Sequence, residues 1–222
     1  MRPRQIVPLL LSVAIVLIPL GGHSASAQSV RVEAGGGWAI PSSDIRMTGE
    51  GQGDIQVATT VDPGSGPHAY VAGGLVWTVS ENFALEARLR AQQSQMRVGT
   101  EDFSGVQRCQ GGCPDGQMRA VSIEGQITLT SVGRINPYFL VGLGVVQTTL
   151  GDVRVENSSG AEFQLSEVDV TDAGGNVGFG AALQLVGGLR LTAETRVSGS
   201  LPGAKDNAVT AFPFSLGLSY EF

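Results

Sequence analysis

The 222-residue sequence is poor in the residues that chemistry most often uses. It has two cysteines and two histidines, which leaves little material for a metal centre or a histidine-based active site. No metal, cofactor or catalytic set is expected. Charged residues make up 15% of the chain and the net charge is −6. A nucleic-acid partner would require a basic surface, so none is expected. Beyond Leu20 no apolar run reaches the ~20 residues of a membrane helix. No 3.6-residue period is sustained either, which disfavours a helical fold. Glycine, by contrast, is abundant: 32 residues, about twice the usual share of ~7%, with no collagen-like repeat.

The N-terminus reads as a secretory signal peptide. Arg2 and Arg4 precede an apolar run from Ile6 to Leu20, and Ala25-Ser26-Ala27 supplies a small-x-small cleavage site. The run is short for a membrane anchor and carries Pro8 and Pro19. Residues 1–27 are therefore expected to be removed, leaving 28–222 as one domain. Losing Arg2 and Arg4 takes the net charge from −6 to −8. No cysteine lies near the junction, so no lipid-modified N-terminus is expected.

What the rest of the chain has is alternation. In Phe212 to Phe222 every second residue is large and apolar (Phe212, Phe214, Leu216, Leu218, Tyr220, Phe222), and those between are small or polar. A period of two places the two sets on opposite faces of a strand, and the length suits a tilted strand crossing a bilayer. Seven earlier segments share the pattern: Val30–Ile40, His68–Val79, Phe83 to about Gln95, Val121–Leu129, Pro137 to about Thr149, Asn176–Leu185 and Leu189–Val197. The connections between them alternate long and short. Pro41 to Pro67, Val98 to Gln117, Gly151 to Asp172 and Ser198 to Asn207 are long. Ser80-Glu81-Asn82, Ser131 to Asn136 and Val186-Gly187-Gly188 are short. Inside the third long connection, Val153-Arg154-Val155 and Phe163-Gln164-Leu165 suggest a hairpin. The whole predicts an all-β fold: an eight-stranded antiparallel up-and-down transmembrane β-barrel, with short periplasmic turns and long external loops.

The same alternation places Arg31, Glu33, Glu86, Arg88, Arg90, Glu124, Arg190, Glu194 and Arg196 opposite the apolar band. An eight-stranded barrel has an interior just wide enough to be filled by side chains. Buried charges need partners, and both signs are present. An internal charge network that plugs the lumen is expected, with Gly142, Gly144, Gly178, Gly180 and Gly217 making room for it. Trp38, Trp77, Tyr220 and Phe222 fall near strand ends, where interfacial aromatics belong. Cys109 and Cys113 share an external loop of an exported protein and are expected to form a disulfide. The loop from Gly151 to Asp172 carries six carboxylates against Arg154 alone. It reads as a solvated acidic loop, with divalent-cation bridging to lipopolysaccharide as the sharper alternative.

The ending Phe-x-Phe-x-Leu-Gly-Leu-Ser-Tyr-x-Phe, the strand opened by Pro137-Tyr138 with Gly142-x-Gly144, and the strand count together resemble the eight-stranded outer-membrane β-barrel superfamily. It includes the OmpA transmembrane domain, OmpX and the opacity-type proteins. The resemblance covers residues 28–222 and is specific for architecture, weak for function. It implies location in the bacterial outer membrane, contact with membrane lipid and lipopolysaccharide, and a monomer. It also implies that the barrel-insertion machinery reads Phe222 as an assembly signal. Pro213 departs from an ideal strand and is expected to mark a bulge near the outer rim. No peptidoglycan-binding module is expected after Phe222. The function implied is structural or surface-interacting, of adhesion type, through external loops whose partner the sequence does not identify. One alternative is an OmpW-like conduit for small hydrophobic molecules. A lipid-modifying enzyme is the weaker one, because His68-Ala69-Tyr70 departs from the His-x-Ser pattern of lipid A deacylases.

Overall fold

The structure, a computed structural model, describes residues 28–51, 56–130, 133–157, 159–201 and 209–222. The proposed signal peptide lies outside the described residues. In chain order the strands are β1 (Gln28–Pro41), β2 (Ile45–Gly51), β3 (Gln56–Val61), β4 (Gly66–Ser80), β5 (Phe83–Met96), β6 (Val106–Gln110) and β7 (Gly116–Leu129). They continue as β8 (Ile135–Leu150), β9 (Val153–Asn157), β10 (Glu162–Leu165), β11 (Val168–Gln184), β12 (Leu189–Ser200) and β13 (Thr210–Glu221).

Eight of these close a barrel in the order β1-β13-β12-β11-β8-β7-β5-β4. Every neighbouring pair is antiparallel, so the topology is up-and-down with no open edge. Closure comes from β1, which pairs with β13 through Trp38↔Phe214 and with β4 through Ala34↔Val71. The Phe222 amide donates to the Val30 carbonyl at 2.9 Å and ties the chain end to the seam.

The alternating faces sort as the period requires. Val32, Val71, Leu85, Ile123, Val141, Phe179, Leu191 and Leu216 are exposed on the outer wall. Their neighbours Glu33, Tyr70, Glu86, Glu124, Leu140, Thr192 and Ser215 are buried inside. A wall this apolar is at home in hydrocarbon, and a closed barrel is the only sheet that spans it without orphaned backbone groups. The barrel thus has the outer wall and the closure of a membrane-spanning one. The inward glycines sit where a side chain would collide. A Cβ on Gly180 would lie 2.6 Å from the Tyr138 hydroxyl, and one on Gly142 would lie 2.8 Å from Cγ of Glu124. Pro213 makes no bulge: the register runs on from Thr195↔Phe214 to Ser198↔Ala211, and only the rungs between are missing. Proline has no N–H to give there, and its ring is packed inside the barrel.

The external connections are more ordered than their composition suggests. The connection from Pro41 to Pro67 is not a plain loop but contributes β2 and β3. The second long connection contributes β6, and the third supplies the β9–β10 hairpin anticipated from the sequence. Together they form a five-stranded sheet ordered β3-β2-β10-β9-β6. Residues just before β6 return to the far edge of β3, with Val61 bridged to Phe103 and the Ser104 amide 3.0 Å from the Thr60 carbonyl. The sheet thereby curls over the outer mouth as a cap. Its inner face (Ile45, Met47, Val61, Val153, Val155, Leu165) packs with Met96, Met118, Val146, Leu150 and Val168 from the upper barrel in one apolar core.

On sodium dodecyl sulfate gels the unheated protein should migrate apart from the boiled protein, because a closed barrel resists the detergent; identical migration would contradict closure. Gly180→Val should lower stability by about 1–3 kcal/mol through overpacking against Tyr138, read as a lower urea midpoint.

Candidate functional site

The interior is built around arginines on β5. Arg88 reaches three carboxylates on three other strands: Glu124 on β7 at 2.8 Å, Glu194 on β12 at 3.2 Å and Glu33 on β1 at 3.3 Å. Arg196 holds Glu124 at 2.7 Å and Glu194 at 2.5 Å. Arg90 approaches Glu194 at 3.1 Å, and its guanidinium lies 3.5 Å from the centre of the Tyr70 ring. Three arginines thus face three glutamates, and all six are buried.

Neutral donors complete the cluster. The Tyr70 hydroxyl donates to Glu33 at 2.5 Å, Thr192 donates to Glu33 at 3.0 Å, and Tyr138 donates to Glu194 at 3.2 Å. Toward the outer end, Arg90 Nε donates to Gln92 and Gln92 donates to Ser198 at 2.8 Å. A second cluster sits at the periplasmic end, where Arg31 pairs with Glu86 and with Glu221. Arg190 pairs with the same Glu221 at 2.7 Å.

All nine charged residues singled out by alternation therefore lie within these two clusters. Sequence reasoning missed Glu221, Tyr70, Tyr138, Gln92 and Thr192. Glu221 was available from the polar phase of the last segment. Tyr70 was hidden because the inward face of β4 reads Tyr70, Ala72, Gly74, Val76, which offers no polar contrast.

The remaining candidates lie elsewhere. Cys109 and Cys113 are joined as a disulfide at the end of β6, outside the barrel, with Gly111 and Gly112 in left-handed conformations between them. In the acidic connection Asp152 accepts from Gln164 at 2.9 Å, Glu162 accepts from Gln110 at 2.6 Å, and Asp169 accepts from Gln147 at 2.9 Å. Among the described residues no group of three or more metal-binding side chains is gathered. His68 Nδ1 lies 2.9 Å from the Ser94 hydroxyl, a contact the sequence did not suggest. Both are buried, at 3% and 1% exposure, beside Met118 of the cap's apolar core, which faces Ser94 in the register. Phe222 is exposed at the seam, with its ring edge-on to Tyr220 at 4.7 Å.

No family model matches the chain, and no curated protein matches it. Solved structures do resemble it. Neisserial surface protein A is 14% identical, covering 90% of this chain and 100% of that one, with a TM-score of 0.49. OprG from Pseudomonas aeruginosa is 13% identical over 89% and 98%, with a TM-score of 0.45. Ail, the attachment invasion locus protein of Yersinia pestis, is 12% identical over 86% and 98%, with a TM-score of 0.41. These are likenesses of fold alone.

Glu194→Ala should destabilise the refolded barrel by about 3–5 kcal/mol, because it leaves the buried Arg90 without a carboxylate and Arg196 with Glu124 alone. A urea midpoint within error of the parent would mean that solvent reaches these charges. On its strand order, closure and lipid-facing wall, the chain has the fold of the eight-stranded outer-membrane β-barrels.

Proposed function

We propose that this protein is a non-conducting outer-membrane barrel that presents a folded cap to the exterior as a surface for contact with partners. The observation that carries the reading is the cap itself. Three external connections that need only join strands instead build one sheet with its own apolar core. Exposed loops with no task seldom order themselves so far. The outward row Gln56, Glu50, Gln164, Arg154 and Gln110 takes one side chain from each strand of that sheet and offers a polar face.

The interior supports a plugged lumen. Paired charges occupy its middle and periplasmic levels, and the cap core closes its outer level. The burial of His68 and Ser94 supports a role without catalysis. The role proposed for the barrel is accordingly structural and surface-interacting, with the monomer as the working unit. Phe222, exposed at the chain end, is proposed as the feature read by the insertion machinery.

Residues 28–222 refolded into a planar bilayer should be silent or give only rare small openings. Steady discrete channels would mean that the internal charges line a path, and the conduit reading would replace this one. Deleting Phe222 should reduce the amount of heat-shifted barrel recovered from the outer membrane; normal recovery would remove its proposed part in assembly.

A further inference from the structure

The cap sheet has two edges, β3 and β6, and one segment serves both. From Arg97 to Ser104 the chain runs along the outer edge of β3. Arg97 and Gly64 exchange backbone hydrogen bonds at 3.2 and 2.7 Å, and the Asp62 amide donates to the Asp102 carbonyl at 2.9 Å. The Thr59 hydroxyl donates to the Ser104 carbonyl at 2.8 Å. Gly105, in a left-handed conformation, leads back into β6, which among the described residues pairs with β9 alone. The sheet thus closes on itself through residues 97–110, and the closure is slight. On the β3 side it consists of isolated bridges in place of a ladder. On the other side β6 has five residues, and its register breaks between Val106 and Arg108.

A covalent clip holds this join. The Cys109–Cys113 disulfide ties the end of β6 to the stretch that enters β7 at Gly116. The Thr100 hydroxyl lies 3.5 Å from Cys113 Sγ and 3.9 Å from Cys109 Sγ, so the sulfurs also touch the limb that runs along β3. Both cysteines pack against the apolar core of the cap, as does Val106, and Phe103 of the same segment is buried in that core. The bridge can nevertheless be reached from outside. Both cysteines are partly exposed, and Gly111 and Gly112 between them have open space where a side chain would stand. Thiol–disulfide exchange needs such access, and exposed disulfides are the ones that serve as switches. The barrel strands themselves contain no cysteine.

We propose that the Cys109–Cys113 disulfide is a redox-sensitive latch on the cap, opened by an external thiol. The first thiol, as its thiolate, attacks one sulfur of the pair. The S–S bond breaks, a mixed disulfide forms, and the other cysteine leaves and takes up a proton. A second thiol attacks the mixed disulfide and releases the remaining cysteine. In sum two thiols are oxidised to one disulfide, and the cystine gains two electrons and two protons. Reduction frees β6 and the turn at Thr100–Asp102, opens the cap along its join with β3, and bares the core around Phe103, Val155 and Met118. The barrel below is held by its own closed ladder and stays shut. The inference requires neither a partner for the cap nor a silent lumen, so those can fail without it.

The test is limited trypsin digestion of the mature protein in detergent micelles, with and without dithiothreitol, the fragments being weighed by mass spectrometry. Cleavage after Arg108, in β6, reads the join. Cleavage after Arg134, in the turn before β8 at the other end of the barrel, is the reference. Reduced protein should be cut after Arg108 about tenfold faster than oxidised protein, since the clip no longer limits local opening. The Arg134 rate and the heat-shifted migration should not change. Cys109→Ser combined with Cys113→Ser should give the faster rate without reductant and no further response to it. The reductant arm needs no variant, so a variant that fails to fold leaves the test intact. Equal rates after Arg108 in oxidised and reduced protein would overturn the latch. So would cysteines that a maleimide does not label after the folded protein meets dithiothreitol, because the bridge would then be out of a thiol's reach. Loss of heat-shifted migration on reduction, or a matching rise in cleavage after Arg134, would overturn it too, by placing the disulfide's hold on the barrel instead of the cap.

Discussion

A charged side chain inside an eight-stranded barrel is surrounded by protein and lipid, with bulk water far off. Its free energy there depends on whether an opposite charge stands within hydrogen-bonding distance, since an unpaired ion in that environment costs several kcal/mol. The interior of this chain is arranged around that constraint. Arg88, Arg90 and Arg196 face Glu33, Glu124 and Glu194, while Arg31 and Arg190 face Glu86 and Glu221. Each cluster is balanced in sign. Tyr70, Tyr138 and Thr192 fill carboxylate lone pairs that arginines leave open, and the glycines of the inner wall leave the volume these long side chains need.

The second constraint is the outer mouth. A barrel wide enough to hold a charge network must still end somewhere, and here its upper interior turns from polar to apolar. His68, Gln92, Ser94 and Ser198 mark the last polar level. Met118, on the same rung as Ser94, joins Met96 and Leu150 from the next rung in packing against the underside of the cap. The cap is therefore a continuation of the interior, held by the same burial that stabilises a water-soluble core, while its outer face remains polar.

Much of this was legible in the sequence because a period of two is a direct record of which way a side chain points. Strand number, topology, lipid-facing residues and the inward charges all follow from it. The pairing within the network was not legible, because it depends on how far the strands are staggered as the sheet closes, and the partners come from strands distant in sequence. The cap was obscured for a different reason. The segment from Pro41 to Pro67 is rich in glycine, serine, aspartate and proline, which usually signal a loop. Its alternation is confined to a few residues such as Ile45-Arg46-Met47, and β3 finds its meaning only against β2. The hairpin in the third connection was visible because Val153, Val155, Phe163 and Leu165 flank a turn sequence within one short stretch.

The spread of Arg88's partners has a bearing on how the molecule is made. Its carboxylates stand on β1, β7 and β12, and Arg88 and Glu194 are separated by 106 residues. Ser29 and Glu221, 192 residues apart, meet only when the first strand finds the last. Until then the growing sheet carries charges without their counter-ions, and a half-built sheet cannot enter lipid on favourable terms. Biogenesis is thereby pushed toward a single concerted event. The polar face must be kept in contact with water or a chaperoning surface until the seam is ready, and lipid entry and circle closure become the same step.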